Sequence, residues 1–137
     1  MKDRILIDTS AWIESFRKSG NRGLQQKIRE VLDSSLTATT NIIILELLQG
    51  CRDRKEYDAM KTRLESLEML SISDRVWETA YEAGYSLKKD GLTVPTVDLV
   101  IASIARTYDY KLVHHDRHFS LIAKRLNITA IDFLAKQ

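Results

Sequence analysis

Asp8, Glu46, Asp98 and Asp116 are the side chains whose type and setting could carry chemistry. Asp8 follows the aliphatic run Ile5-Leu6-Ile7, where a short buried strand gives way to a helix, and Thr9 and Ser10 add two hydroxyls there. In an open α/β sheet ligands bind beyond the carboxyl ends of the strands, so an acid at a strand exit is well placed for catalysis. The plain alternative is that it caps the next helix. Asp116 repeats the pattern after Leu112-Val113-His114, with the same alternative. Asp98 stands near the start of a helix, in Thr96-Val97-Asp98-Leu99-Val100, where a first-turn acid with Thr96 as cap is favourable on its own. Glu46 is the most informative of the four. It lies within Ile42-Ile43-Ile44-Leu45-Glu46-Leu47-Leu48, a helix apolar nearly all round and therefore expected to be buried. A buried, unpaired carboxylate is costly, so a cation or an arginine such as Arg52 or Arg4 should compensate it. As a set, the acids suit an oxygen-ligand site for Mg²⁺ or Mn²⁺, with some carboxylates direct and others holding water.

The remaining polar candidates are weaker. His114, His115 and His118 cluster in sequence without a nearby cysteine, and a zinc site is not expected. Phosphate or base contact, or plain exposure, fits them better. Trp12 and Trp77 read as core, and Arg52, Arg54 and Lys55 as a solvated face that could meet an RNA backbone.

Acids so far apart in the chain need a fold that gathers them. After the first strand, Ala11 to about Lys18 reads as helix and Ser19-Gly20-Asn21-Arg22-Gly23 as a break. Leu24, Ile28, Val31 and Leu32 recur at helical spacing, and Leu36–Thr40 is a second strand. The apolar helix from Asn41 stops near Gly50. An amphipathic helix follows over Arg52–Leu67, its inner face drawn from Tyr57, Met60, Leu64 and Leu67. Met69–Ile72 is the third strand, and Ser73 or Asp74 caps a helix that buries Val76, Trp77, Ala80, Tyr81, Ala83, Gly84 and Leu87. Thr93–Pro95 is extended, and the helix behind it turns Val97, Val100, Ile101, Ile104 and Ala105 inward. Lys111–His114 is strand four, Arg117–Arg125 a short helix and Ile128–Ile131 strand five. Short strands alternating with helices predict an α/β fold with a parallel sheet covered on both faces, and right-handed crossovers gather the strand exits at one cleft.

Composition sets the frame. The 137 residues suit one domain spanning 1–137, and 44% apolar with 29% charged residues is an ordinary globular balance. A net charge of +2 is too mild to announce nucleic-acid binding, yet it permits a basic rim around an acidic centre. Cys51, the single cysteine, rules out a disulfide within the chain and fits a reducing cytosol. No apolar run is long enough for a membrane span, and Met1-Lys2-Asp3-Arg4 leads into a strand rather than a signal peptide. A cytoplasmic protein without membrane partners is expected.

At these residues the chain resembles the PIN-domain ribonucleases, and among them the VapC toxins of toxin–antitoxin pairs. The matching segments, in order, are Ile5–Trp12, Glu46–Gly50, Thr96–Ala102 and Leu112–Phe119. The resemblance implies a three-layer sandwich around a central, mainly parallel five-stranded sheet, and a Mg²⁺- or Mn²⁺-dependent endoribonuclease. Asp8, Glu46, Asp98 and Asp116 would be its acidic cluster, with Thr9, Ser10 and Thr96 as supporting polar groups and Arg117 and His118 near the substrate. It implies RNA as substrate, a homodimer, and a VapB-like antitoxin that inserts a segment near the acids. One departure stands out: the family often carries a further acid two residues after the fourth one, where this chain has His118.

Two other function classes fit the same sequence less well. A haloacid-type phosphatase using Asp8 as nucleophile needs a second acid at the position of Ser10, and the paired acids and late lysine of a receiver domain are not evident. A non-catalytic RNA- or protein-binding module on the same fold is the non-enzymatic alternative.

Overall fold

The structure, a computed structural model, describes residues 2–16 and 22–132. Its sheet has the order β3-β2-β1-β4-β5, built from β1 (Arg4–Ile7), β2 (Leu36–Thr39), β3 (Glu68–Met69), β4 (Lys111–His114) and β5 (Ala130–Asp132). Every pairing is parallel, with Leu6 of β1 opposite Ala38 on one side and Leu112 on the other. Parallel strands covered on both faces should be apolar throughout, and Ile5, Leu6, Ile7, Leu112 and Val113 are all buried.

Helices α1 (Thr9–Phe16), α2 (Arg22–Ser34), α3 (Asn41–Gln49) and α4 (Arg54–Glu65) lie in the crossovers from β1 to β2 and from β2 to β3. Helices α5 (Asp74–Lys89), α6 (Thr96–Tyr108) and α7 (His118–Leu126) lie in the crossovers to β4 and β5. The strand order runs one way from β1 to β3 and the other way from β4 to β5. Right-handed crossovers therefore put the first four helices on one face and the last three on the other, giving three layers. On the first face α2 packs on α1, α1 on α3 and α3 on α4; on the second α5, α6 and α7 pack on one another. The topological switch point falls between β1 and β4, the strands that Asp8 and Asp116 follow.

Local signals explain most boundaries. Asp53 caps α4 by accepting from the Glu56 amide (2.8 Å), and Ser73 caps α5 through the Val76 amide (3.4 Å). Several expectations need correction. Helix α1 starts at Thr9 rather than Ala11, and its continuation toward Lys18 lies outside the described residues. Of the expected break, Arg22 and Gly23 are already helical and the rest lies outside the described residues. Strand β3 is Glu68–Met69 rather than Met69–Ile72: the Leu70 amide makes one more bond to the Thr39 carbonyl, and the Leu70 carbonyl then accepts the Thr40 hydroxyl, which ends the ladder. Strand β5 begins at Ala130 rather than Ile128, because Asn127 takes the left-handed conformation and the Ile128 amide still bonds the Ala123 carbonyl of α7.

Three apolar readings also change. In α5 the buried stripe is Val76, Ala80, Ala83 and Leu87, which leaves Trp77 and Tyr81 exposed beside it. Leu32 of α2 is exposed as well. Helix α3 buries only Ile43 and Leu47 fully; Leu45 is 57% exposed and Glu46 is half-buried. The centre of the core is nonetheless dense, with Leu6, Ile101, Ile104 and Phe119 at zero exposure. Truncating Leu6 to alanine should lower unfolding free energy by about 2–5 kcal/mol, read from the shift of a urea midpoint.

Candidate metal and active site

Asp8 leaves β1 with its amide still bonded to the Val113 carbonyl (2.8 Å), so its place is fixed by the sheet. Its carbonyl accepts the Trp12 amide (3.1 Å) as α1 begins, and its Oδ2 accepts both the amide (2.9 Å) and the hydroxyl of Ser10. The capping reading is therefore correct as far as it goes. It does not account for an acid that is 97% buried at a strand exit, and the electrostatics show the strain. Burial pushes the Asp8 carboxyl above the usual carboxylate range, and the Glu46 charge adds to this. The Ser10 hydroxyl and the Ser10 and Thr9 amides pull the other way.

Glu46 reaches the same place from α3. Its Oε1 accepts the Thr9 hydroxyl (2.7 Å), which joins the glutamate to the residue next to Asp8. The arginines considered as its partners are engaged elsewhere: Arg52 pairs with Glu56 (3.2 Å) and Arg4 lies over the Tyr110 ring (5.1 Å). Thr9 is buried and its hydroxyl donates to Glu46, so it positions that acid as a supporting polar group.

From the other face comes Asp98, in the first turn of α6. Thr96 does not cap this helix; Pro95 precedes it and no side chain bonds its first amides. The Asp98 carboxyl is pushed up to about 6, first by burial, then by the charges of Asp116, Asp8 and Glu46, with His118 opposing. Those three carboxylates act on Asp98 because the fold has brought four distant segments together.

Asp116 completes the group. Its amide donates to His114 Nδ1 (3.2 Å), and its Oδ1 accepts the His118 amide (2.9 Å) as α7 starts. His118 Nδ1 lies 2.9 Å from Asp116 Oδ1 and 3.6 Å from Asp98 Oδ2. One ligand atom each from Asp98, Asp116 and His118 falls within a 4.8 Å sphere of mutual distances. Asp98 Oδ2 and His118 Nδ1 are buried atoms with no hydrogen-bond partner. A carboxylate oxygen and an imidazole nitrogen without hydrogen bonds, beside the like charges of Asp98 and Asp116, fit a divalent cation, which would take both as ligands and relieve the repulsion. Thr96 and Arg117 are exposed at the rim, and Ser10 is half-buried between Asp8 and β4.

Two supports escaped the sequence reading. The Ser10 hydroxyl also accepts the His115 amide (2.9 Å), strapping the exit of β1 to that of β4. His114 is buried, packed on Phe119 (5.3 Å between ring centroids), and burial pushes its imidazole below the usual histidine range. Its Nδ1 accepts the Asp116 amide, so that nitrogen is occupied although the residue stands four before His118. Its position at the end of the buried run Leu112-Val113-His114 was the available signal. His115 instead approaches Asp132 (3.5 Å).

Comparison with known proteins agrees with this architecture. The chain belongs to the PIN-domain family, whose family model, described as PIN domain, matches residues 5–125. Within that family it is 31% identical over 133 residues to Ribonuclease VapC11 of Mycobacterium tuberculosis, covering 94% of this chain and 98% of that relative. The fold is shared with FitAcB from Neisseria gonorrhoeae (TM-score 0.78, 17% identity, 96% of this chain and 99% of that one). It is equally shared with DNA-bound VapBC from Salmonella typhimurium (TM-score 0.78, 17% identity, 97% and 99%). Among the described residues no helix is long and apolar enough to cross a membrane.

Proposed function

We propose that this chain is a divalent-metal-dependent endoribonuclease and the toxin of a toxin–antitoxin pair. The observation that carries the reading is the convergence of Asp98, Asp116 and His118 ligand atoms beside Asp8 and Glu46, with Asp98 Oδ2 buried and without a hydrogen bond, in a chain 31% identical to a named ribonuclease. Asp8, Asp98 and Asp116 would hold the cation, with Glu46 close by to fix water. Mg²⁺ or Mn²⁺ held there would neutralise charge developing on the phosphate and make a water acidic enough to attack it. The protein's own part is positioning. Thr9 orients Glu46, Ser10 orients Asp8 and ties it to β4, and His114 fixes the loop that presents Asp116. Arg117 and Thr96, both exposed at the rim, would meet the RNA backbone in this reading. Arg117→Ala should weaken RNA binding and reduce its log–log salt dependence by about 0.7, the share of one single-strand phosphate contact. Filter binding across a salt series measures it.

The partners in this reading are an RNA substrate, a VapB-like antitoxin and a second copy of the chain, in the cytoplasm. Support for a protein partner comes from a groove of about 600 Å³ between α1, α2 and α4, where Phe16 and Leu32 stay exposed beside Trp12 and Met60. Exposed Leu45 on α3 and Trp77, Tyr81 and Tyr85 on α5 support self-association, which sedimentation velocity would register as twice the chain mass. The activity test is purified protein on total RNA with Mg²⁺, Mn²⁺ or chelator. Discrete, chelator-sensitive fragments support the nuclease. RNA binding without fragments would instead leave a non-catalytic module, and a trapped aspartyl phosphate would point to phosphatase chemistry.

A further inference from the structure

We infer that His118 is a direct nitrogen ligand of the cation at the Asp98–Asp116 cluster and tilts the site from Mg²⁺ toward Mn²⁺. The inference rests on the metal-dependent reading above and concerns what the metal touches. Three facts about the imidazole carry it. Its Nδ1 lies 2.9 Å from Asp116 Oδ1 and 3.6 Å from Asp98 Oδ2, inside the one group of ligand atoms among the described residues compact enough to share an ion. That nitrogen is buried and has no hydrogen-bond partner, although the ring as a whole is 38% exposed. The backbone that carries it is also held in place: the His118 amide donates to Asp116 Oδ1 (2.9 Å), and the next residue, Phe119, is fully buried in the core.

A nitrogen set among carboxylates discriminates between cations. Mg²⁺ takes oxygen donors and parts with its waters reluctantly, so an imidazole adds little to its binding. A first-row transition ion accepts mixed oxygen and nitrogen donors, and each gains from the imidazole. A surface role against RNA phosphate would leave Nδ1 facing solvent. Here that atom faces two carboxylates that belong to the proposed metal site.

The test uses Mn²⁺ as probe and does not need turnover. Pulsed electron paramagnetic resonance of the Mn²⁺-loaded chain should show ¹⁴N modulation, converted to the ¹⁵N pattern when the protein is grown with ¹⁵N-histidine. The modulation should vanish in His118→Ala and in His118→Asp. The Mn²⁺-over-Mg²⁺ affinity ratio, from competition titration, should fall about tenfold in His118→Asp, the scale on which metal-site partners act. The aspartate variant keeps a ligand in place if the alanine variant folds poorly. Mn²⁺ bound without nitrogen modulation, or with modulation that survives both substitutions, overturns the assignment while leaving a metal site intact. If neither Mn²⁺ nor Mg²⁺ binds the folded protein, the metal-dependent reading fails as well.

Discussion

Asp98→Asn is expected to reduce RNA cleavage by about 10³-fold while leaving the protein folded. That is the scale, about 4 kcal/mol, on which an enzyme loses a group that stabilises transition-state charge. The substitution keeps shape and removes charge, so what it tests is the electrostatic role. Asp8→Asn should behave alike. Asp98 also gives a second, independent readout. Its carboxyl titrates near 6 in the folded chain against 3.8 ordinarily, so between those pH values the native state binds the extra proton. Without a cation, stability should therefore decline as pH rises from about 4 to about 6 and stay lower above that. Asp98→Asn removes this cost and should make the cation-free protein more stable at pH 7, by about 1 kcal/mol after allowing for solvent screening. A mutant that is both dead and more stable separates a functional acid from a structural one. Full activity in Asp98→Asn would remove the residue from the site.

Metal removal is the second large effect. Chelator should abolish cleavage, and Mg²⁺ or Mn²⁺ should restore it, since four carboxylates without a cation repel an RNA phosphate. Because proton and cation compete for Asp8 and Asp98, both raised by burial, the melting-temperature gain from added cation should shrink as pH falls through 6. Cleavage should show an acid limb in the same range. Thermal shift and initial rates across pH 5–8 measure the two together, and a cation effect independent of pH would contradict competition at these carboxyls.

Part of this candidate site is legible in the residues because Asp8, Glu46 and Asp116 each break a local pattern, whereas Asp98 reads as an ordinary first-turn acid. Asp8 and Asp116 stand at the ends of aliphatic runs, where the period of the strand stops and a polar group must lie at the sheet's edge. Glu46 was singled out for sitting in a greasy helix, and the structure brings it to Thr9 beside Asp8, though for a weaker reason than burial all round. Leu45 on that helix faces solvent, and sequence cannot tell an apolar face that meets the core from one left uncovered. The same ambiguity misplaced Trp77 and Tyr81. Strand β3 is only two residues long, and its limits were set by a Thr40–Leu70 hydrogen bond between residues 30 apart, which no local window registers. His114 hid for a related reason: its inward direction depends on strand register, and its bond to the Asp116 amide depends on the turn that follows.

In the proposed site Asp8, Glu46, Asp98 and Asp116 converge from both sides of the sheet on a divalent cation at the β1–β4 switch point. Anomalous diffraction from crystals soaked in Mn²⁺ tests it most directly. A peak within coordination distance of Asp98 and Asp116, on the side that Asp8 and Glu46 face, is the expected result. Crystals of protein that cleaves RNA but shows no manganese among these carboxylates, or shows it elsewhere, would contradict it.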